Sequence, residues 1–268
     1  MKRVLYIGSK DLGVRCLEHL VERSRKGDLE IAAVVARSDD DDDHWYGSVS
    51  KAARDAGLPL FMPERINSKA FCKELSALDI DIGFCVFHPQ IFKGILDVPK
   101  EGIVNLHFAP LPLYRGCGPI PHAIIDGRSE HGVTMHMITD GIDSGPIVGQ
   151  VPVPIGPRET GRDIYRKCGL AGLDLFREVF DDAIAGRMEP VEQDEPKAIY
   201  HFRDELDDRS VDPGMERSRL YDHVRALDFP PFPRRYIDCG DGKRVYLTTI
   251  PNEMEGKEDD TADQDVHL

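Results

Sequence analysis

Apolar residues fill positions 4–7, the turn GSKDLG follows, and Val14, Leu17, Leu20 and Val21 then recur at intervals of three and four. A continuous run, a glycine-bounded turn and a 3.6-residue period predict a strand leading into an amphipathic helix. Residues 30–36 (EIAAVVA), 81–87 (DIGFCVF) and 103–107 (IVNLH) are further apolar runs and predict buried strands. Residues 132–138 (GVTMHMI) alternate, and 146–155 repeat valine, so two more strands are expected there. Ser48 caps a helix ending near Gly57, and Asn67 or Ser68 caps another running to about Leu78. Thr160 caps a long helix on which Ile164, Cys168, Ala171, Leu175 and Val179 share a face, with Gly186 as its stop.

Strands alternating with helices predict an α/β fold: a Rossmann-like, mostly parallel sheet with helices on both faces. From about residue 199 the pattern changes to Arg, Asp and Pro, with an amphipathic piece at 220–227 and a short strand at 244–249. We therefore expect a main domain over 1–190, a small C-terminal subdomain over 191–252, and an acidic, disordered tail over 253–268. The aspartate run 39–43 reads as an exposed loop, since consecutive carboxylates cannot all face one ion.

Composition narrows the function. The net charge of -14 comes with no basic block, which argues against a large polyanionic partner. A small phosphorylated ligand needs only a few local cations and stays open. Six scattered cysteines lack any C-x-x-C or C-x-x-H spacing, so no structural zinc is expected. No stretch approaches the roughly 18 apolar residues of a membrane helix, and MKRVLYIG reads as a strand rather than a leader. A cytoplasmic setting is expected. The GSKDLG turn is not a dinucleotide fingerprint, because Lys10 stands where G-x-G-x-x-G has its second glycine, and no Walker lysine follows.

The candidate chemistry sits at Asn105 and His107, two positions apart on one strand face. Downstream, TDGIDSG presents Asp140 and Asp143 after another strand, and in open α/β sheets such strand ends meet at ligand sites. An amide and an imidazole can donate hydrogen bonds to a developing oxyanion, and a carboxylate beside the imidazole favours its charged form and helps move protons. His136 reads as a structural hydrogen bonder or a non-reacting wall residue, and Asp140 as a turn cap.

Asn105-Leu-His107, then Leu111-Pro-Leu-Tyr-Arg-Gly116, Gly132-Val-Thr-Met-His136 and Asp143-Ser-Gly145 together resemble the signature of the N10-formyltetrahydrofolate-dependent formyltransferases. The resemblance spans about residues 1–185 and is greatest to the sugar N-formyltransferases. It implies catalysis by Asn105, His107 and Asp143; formyl transfer itself needs no covalent intermediate, and no metal is expected. It implies N10-formyltetrahydrofolate as co-substrate, held by Phe87, Pro89, Gln90 and Ile91 on one loop and Thr139, Asp140 and Gly141 on another. Ala109 and Pro110 replace the family's usual Ser and Leu, which alters the pocket wall.

The family's tRNA enzyme carries an added C-terminal barrel and needs cationic surface; its glycinamide ribonucleotide enzyme usually ends near the core. The piece around Leu220–Leu227 with Phe229-Pro-Pro resembles the extension of the sugar enzymes. The resemblance thus implies a dTDP- or GDP-linked amino-deoxy sugar as acceptor and a formamido sugar for a surface polysaccharide as product. Tyr114, Arg115, Tyr221 and Arg225 are the expected acceptor contacts, though Arg225 equally serves to anchor its helix. A homodimer is suggested by the family alone. Methionyl-tRNA, glycinamide ribonucleotide and a non-catalytic folate- or nucleotide-binding module remain the alternatives.

Overall fold

The computed structural model describes residues 1–40 and 46–249. Part of the 39–43 run and the whole 253–268 tail lie outside the described residues. The chain runs β1 (Lys2–Gly8), α1 (Lys10–Arg25), β2 (Leu29–Val35), α2 (Val49–Asp55), β3 (Leu60–Phe61), α3 (Lys69–Ser76), β4 (Ile82–Val86) and β5 (Ile103–His107). It continues through β6 (Arg115–Gly116), α4 (Pro119–Ile125), β7 (Glu130–Met137), β8 (Ile147–Pro154) and α5 (Gly161–Ile184). Last come β9 (Tyr200–His201), α6 (Arg217–Ala226), β10 (Tyr236–Asp238) and β11 (Arg244–Tyr246).

Seven strands form one sheet in the order β3-β2-β1-β4-β5-β7-β8. The first five are parallel, and β7 and β8 are antiparallel. The chain winds outward from β1 to β3, then returns to β4 on the other side of β1. That reversal of direction is where open α/β sheets hold ligands.

Strand alternation divides the core in two. Val4, Tyr6, Phe84, Val104 and Leu106 pack under α1 and α5. Leu5, Ile7, Val35, Cys85 and Ile103 pack under α3 on the opposite face. On α5, Phe176 and Phe180 meet the Phe84 ring at 5.6 and 5.2 Å. The caps are those expected: Ser48 accepts from Lys51 N, Ser68 from Phe71 N, and Thr160 forms a capping box with Asp163.

Three elements differ from expectation. Helix α4 begins with Pro119-Ile-Pro after Gly118, because proline suits the first turn of a helix. The pair β6 and β9 is too short to show any period, and it ties residues 115–116 to residues 200–201. Asp40, expected in a solvated loop, is 1% exposed and accepts from Ser48 Oγ and Ser50 N. Among the described residues no helix is long and apolar enough to cross a membrane.

Candidate active site

Asn105 and His107 lie on the β5 face shared with Ile103, and both are half-buried. The antiparallel partner β7 sets His136 directly across from Asn105. Asn105 Nδ2 lies 3.1 Å from His136 Nε2, and His136 Nδ1 lies 2.9 Å from Met137 O. A carbonyl can only accept, so Nδ1–H donates to Met137 and Nε2 accepts from the Asn105 amide. His136 therefore orients Asn105 and leaves the second amide N–H free to donate into the cleft.

His107 is fixed by the same logic. Its Nε2–H donates to Tyr114 O at 3.0 Å. That leaves Nδ1 as the nitrogen able to exchange a proton, and it stands 3.6 Å from Asp143 Oδ2. Asp143 Oδ2 also accepts from Gly116 N–H at 2.9 Å, and Oδ1 lies 3.5 Å from His136 Nε2. Burial alone would raise the Asp143 carboxyl, but the charge that His107 and His136 carry when protonated, together with the Gly116 N–H, outweighs it and holds it well below the usual carboxylate range. Asp143 is thus a fixed anion between two histidines.

The loop that presents Asp143 is built under constraint. Asp143 itself has φ 48, and Tyr114, which orients His107, has φ 60. Left-handed backbone is unfavourable for residues with a Cβ and persists where surrounding structure enforces it. A Cβ at Gly145 would collide with Met137 O, so only glycine lets the loop turn against the end of β7. Gln193 fastens the loop from outside, donating to Asp143 O at 2.9 Å and Gly145 O at 2.7 Å.

Asn105, His136 and Asp143 open on a cleft of about 340 Å³. Its walls include Pro89, Gln90, Ile91, Thr139 and Gly141, all expected as cofactor contacts. Gln90 accepts from Ile66 N and donates to Glu64 O, which pins its loop to the chain before α3. Phe87 and Asp140 are not brought to this wall. Phe87 packs edge-on against Phe108, 4.8 Å between centroids, and Asp140 is exposed.

The four expected acceptor contacts fare differently. Arg115 is 0% exposed and donates to Gln193, Glu195 and Tyr200, so it braces the acidic loop and is not available to a sugar. The Tyr114 ring is buried, its hydroxyl donating to Asp126 and accepting from Arg128. Arg225 donates to Gly156 O, Glu159 O and Asp222, so of the two roles expected for it the anchor is the one its contacts serve. Tyr221 is exposed on α6 beside Leu247 and Thr249, outside the cleft's lining.

Sequence reasoning passed over two groups. Gln193 sits in a polar segment with no period, and nothing local marks it as the brace of a loop 50 residues earlier. Lys10 is the other. It has φ 63 at the C-terminal end of β1, and its ammonium stands 5.2 Å from the Phe87 ring centre and 6.0 Å from those of Tyr46 and Tyr165. Burial, then Arg37, lowers its pKa. It makes no ion pair with a described residue.

A model of the family described as formyl transferase matches residues 2–179. The methionyl-tRNA formyltransferase of Geobacillus sp. (strain WCH70) is 31% identical over 241 residues, covering 88% of this chain and 74% of the relative. Among solved structures, the N-formyltransferase from Helicobacter canadensis, in complex with folinic acid and dTDP-3-aminofucose, superposes with a TM-score of 0.77. It is 24% identical, with 89% of this chain and 85% of that one covered. A 4-N formyltransferase from Francisella tularensis gives a TM-score of 0.73 at 19% identity over 92% and 97% of the two chains. With a family model matched over most of the sheet and a relative at 31% identity along most of both chains, this protein is a formyltransferase of the formyl transferase family.

Proposed function

We propose that the protein transfers a formyl group from N10-formyltetrahydrofolate to the amino group of a nucleotide-linked amino-deoxy sugar. The observation that carries the reaction is that Asn105 and Asp143 line one small-molecule cleft at the end of β5 and that Asp143 stands 3.6 Å from His107 Nδ1. In the proposed reaction the acceptor nitrogen attacks the formyl carbon, and a tetrahedral oxyanion forms. The free amide N–H of Asn105 donates to that oxyanion. The nitrogen must lose a proton as the C–N bond forms, and His107 Nδ1, facing the Asp143 anion, is the group that takes it, directly or through water. The bond to N10 then breaks as the proton held by His107 passes to N10, directly or through water, and tetrahydrofolate leaves.

The flat pterin suits the walls formed by 88–92, 138–139 and 141–143, which include Ile91, Phe92 and Ile142. For the acceptor, the Helicobacter canadensis enzyme was solved with a dTDP-linked amino sugar, and this chain shares its fold. Lys10 supplies a half-buried cation among Tyr46, Phe87 and Tyr165, at the end of a strand one place from β4 in the sheet. A cation amid aromatic faces suits a diphosphate carrying a base. Methionyl-tRNA is the second reading, favoured by the 31% identical relative.

The test is to supply N10-formyltetrahydrofolate with dTDP- and GDP-linked amino sugars, glycinamide ribonucleotide or charged initiator tRNA, and follow tetrahydrofolate release. Turnover with an amino sugar, lost in His107→Ala, is expected. Turnover with tRNA alone would overturn the sugar assignment, and no turnover with any amine would overturn the transfer reaction itself.

A further inference from the structure

At the cleft wall, three metal-ligating side chains from distant parts of the chain come together. His122 is on α4, His201 on β9, and Glu205 on the 3-10 turn that follows. One ligand atom from each lies within 4.8 Å of the others. Glu205 Oε2 is 2.7 Å from His201 Nδ1 and 3.7 Å from His122 Nε2. Ligands of a tetrahedral zinc ion with bonds of about 2.0–2.1 Å stand about 3.3 Å apart, a value these two distances bracket.

A second observation is independent of that convergence. His122 is only 8% exposed, yet its Nε2, the atom aimed at the carboxylate, has no hydrogen-bond partner among the described residues. A buried unpartnered ring nitrogen costs free energy that a ligand would recover. Burial, then the neighbouring His201, pushes the His122 imidazole down to about 4, so it is neutral and carries its lone pair at physiological pH. Glu205 and Asp126 act against that shift, and Arg235 acts with it.

We propose that His122 Nε2, His201 Nδ1 and a Glu205 carboxylate oxygen bind one borderline divalent cation of the zinc class, with solvent completing the shell. Two imidazoles and a carboxylate with an open fourth position form a donor set for such an ion. The rings are now stacked, 3.6 Å between centroids and 11° from parallel. Ring lone pairs lie in the ring planes, so binding splays the two imidazoles apart, and the Glu205–His201 hydrogen bond becomes shared coordination. The ion would clasp residues 200–206 onto α4. Those residues include His201, Phe202 and Arg203 of the cleft wall, and β9 carries the strand whose Gly116 holds Asp143. The proposal is independent of which amine is the acceptor.

The experiment uses the full chain, stripped with chelator and titrated with zinc chloride alone by calorimetry, with cobalt(II) as a spectroscopic probe. One ion per chain is expected, with cobalt bands of four-coordinate geometry that persist in Cys117→Ser, where the backbone N–H of residue 117 donates to His201 O, since the set contains no thiolate. Glu205→Gln keeps the shape of a half-exposed residue while removing its charge, and it is expected to weaken binding at least tenfold; His122→Gln should do the same. Zinc should raise the melting temperature of the parent protein and not of Glu205→Gln. Binding below half an equivalent, or affinity unchanged in Glu205→Gln, would overturn the site. Because Glu205 is at the surface, that variant decides the matter even where His122→Gln fails to fold.

Discussion

Two nitrogens of His107 and two oxygens of Asp143 are each assigned a separate task, and activity should report on each. Asn105→Ala removes the proposed oxyanion donor and strands His136 Nε2 without its partner. A loss of about 10²–10³ in kcat is expected, with KM little changed, as for other deletions of an oxyanion donor. Steady-state kinetics with saturating donor would check it, and a loss confined to KM would reassign Asn105 to ground-state binding. Asp143 makes a different prediction. Its folded carboxyl titrates below its unfolded value, so its stabilising contribution is fully present above the unfolded carboxylate range and is lost as pH falls through the folded value. The gap in melting temperature between the parent and Asp143→Asn should therefore be flat from about pH 5 to 8 and narrow below about pH 4. A gap that narrows near pH 6 instead would point to the imidazoles as the titrating partners.

At the scale of elements, the acidic loop between β7 and β8 is held by a relay: Arg115 on β6 donates to Gln193, and Gln193 donates to the carbonyls of residues 143 and 145. Replacing Arg115 by Met leaves Gln193 Oε1 buried without its donors. Glu195, 62% exposed, stays hydrated, so no charge is stranded. The expected cost is about 1–3 kcal/mol, the penalty of an unsatisfied buried acceptor rather than of a broken buried ion pair. Urea denaturation would measure it. Gln193→Leu should lower kcat through a loosened Asp143 while leaving the sheet intact, and equal losses in kcat and stability would show that the relay is only structural.

The same relay shows what the sequence could and could not reveal. Periodicity and caps gave the long elements, because β1, β5 and α5 bury continuous faces whose pattern survives in one dimension. Strand alternation puts Asn105 and His107 on one face, and the motif resemblance adds Asp143, which local spacing alone does not place beside them. Arg115 was misread as a ligand contact because an arginine near a site looks the same whether it faces solvent or a buried glutamine 78 residues away. Gln193, Lys10 and the His122–His201–Glu205 group depend on β6–β9 pairing and on strand order, which no short spacing encodes.

For the molecule as a whole, charge separates the candidate acceptors better than the fold does, because relatives named for sugars and for tRNA share this sheet. With 48 acidic against 34 basic residues, the long-range field repels a polyanion, and tRNA docking gains most of its affinity from cationic contacts that release counterions. A nucleotide sugar carries only a diphosphate, which one or two local cations can hold, and a Debye length of about 8 Å at physiological salt screens the distant carboxylates from it. Initiator tRNA should therefore bind weakly at physiological salt. The affinity for a dTDP-linked amino sugar should change only a few-fold between about 0.05 and 0.2 M salt, against the roughly 10³–10⁵ typical of extensive phosphate contact. Lys10→Met should raise KM for the nucleotide sugar and leave KM for the folate donor unchanged, because Lys10 is not on the folate cleft wall. Fluorescence titration across that salt range, run with both acceptors, separates the two. A steep slope with tight tRNA binding would mean that local basic surface overrides the net field, and would move the assignment to the tRNA amine.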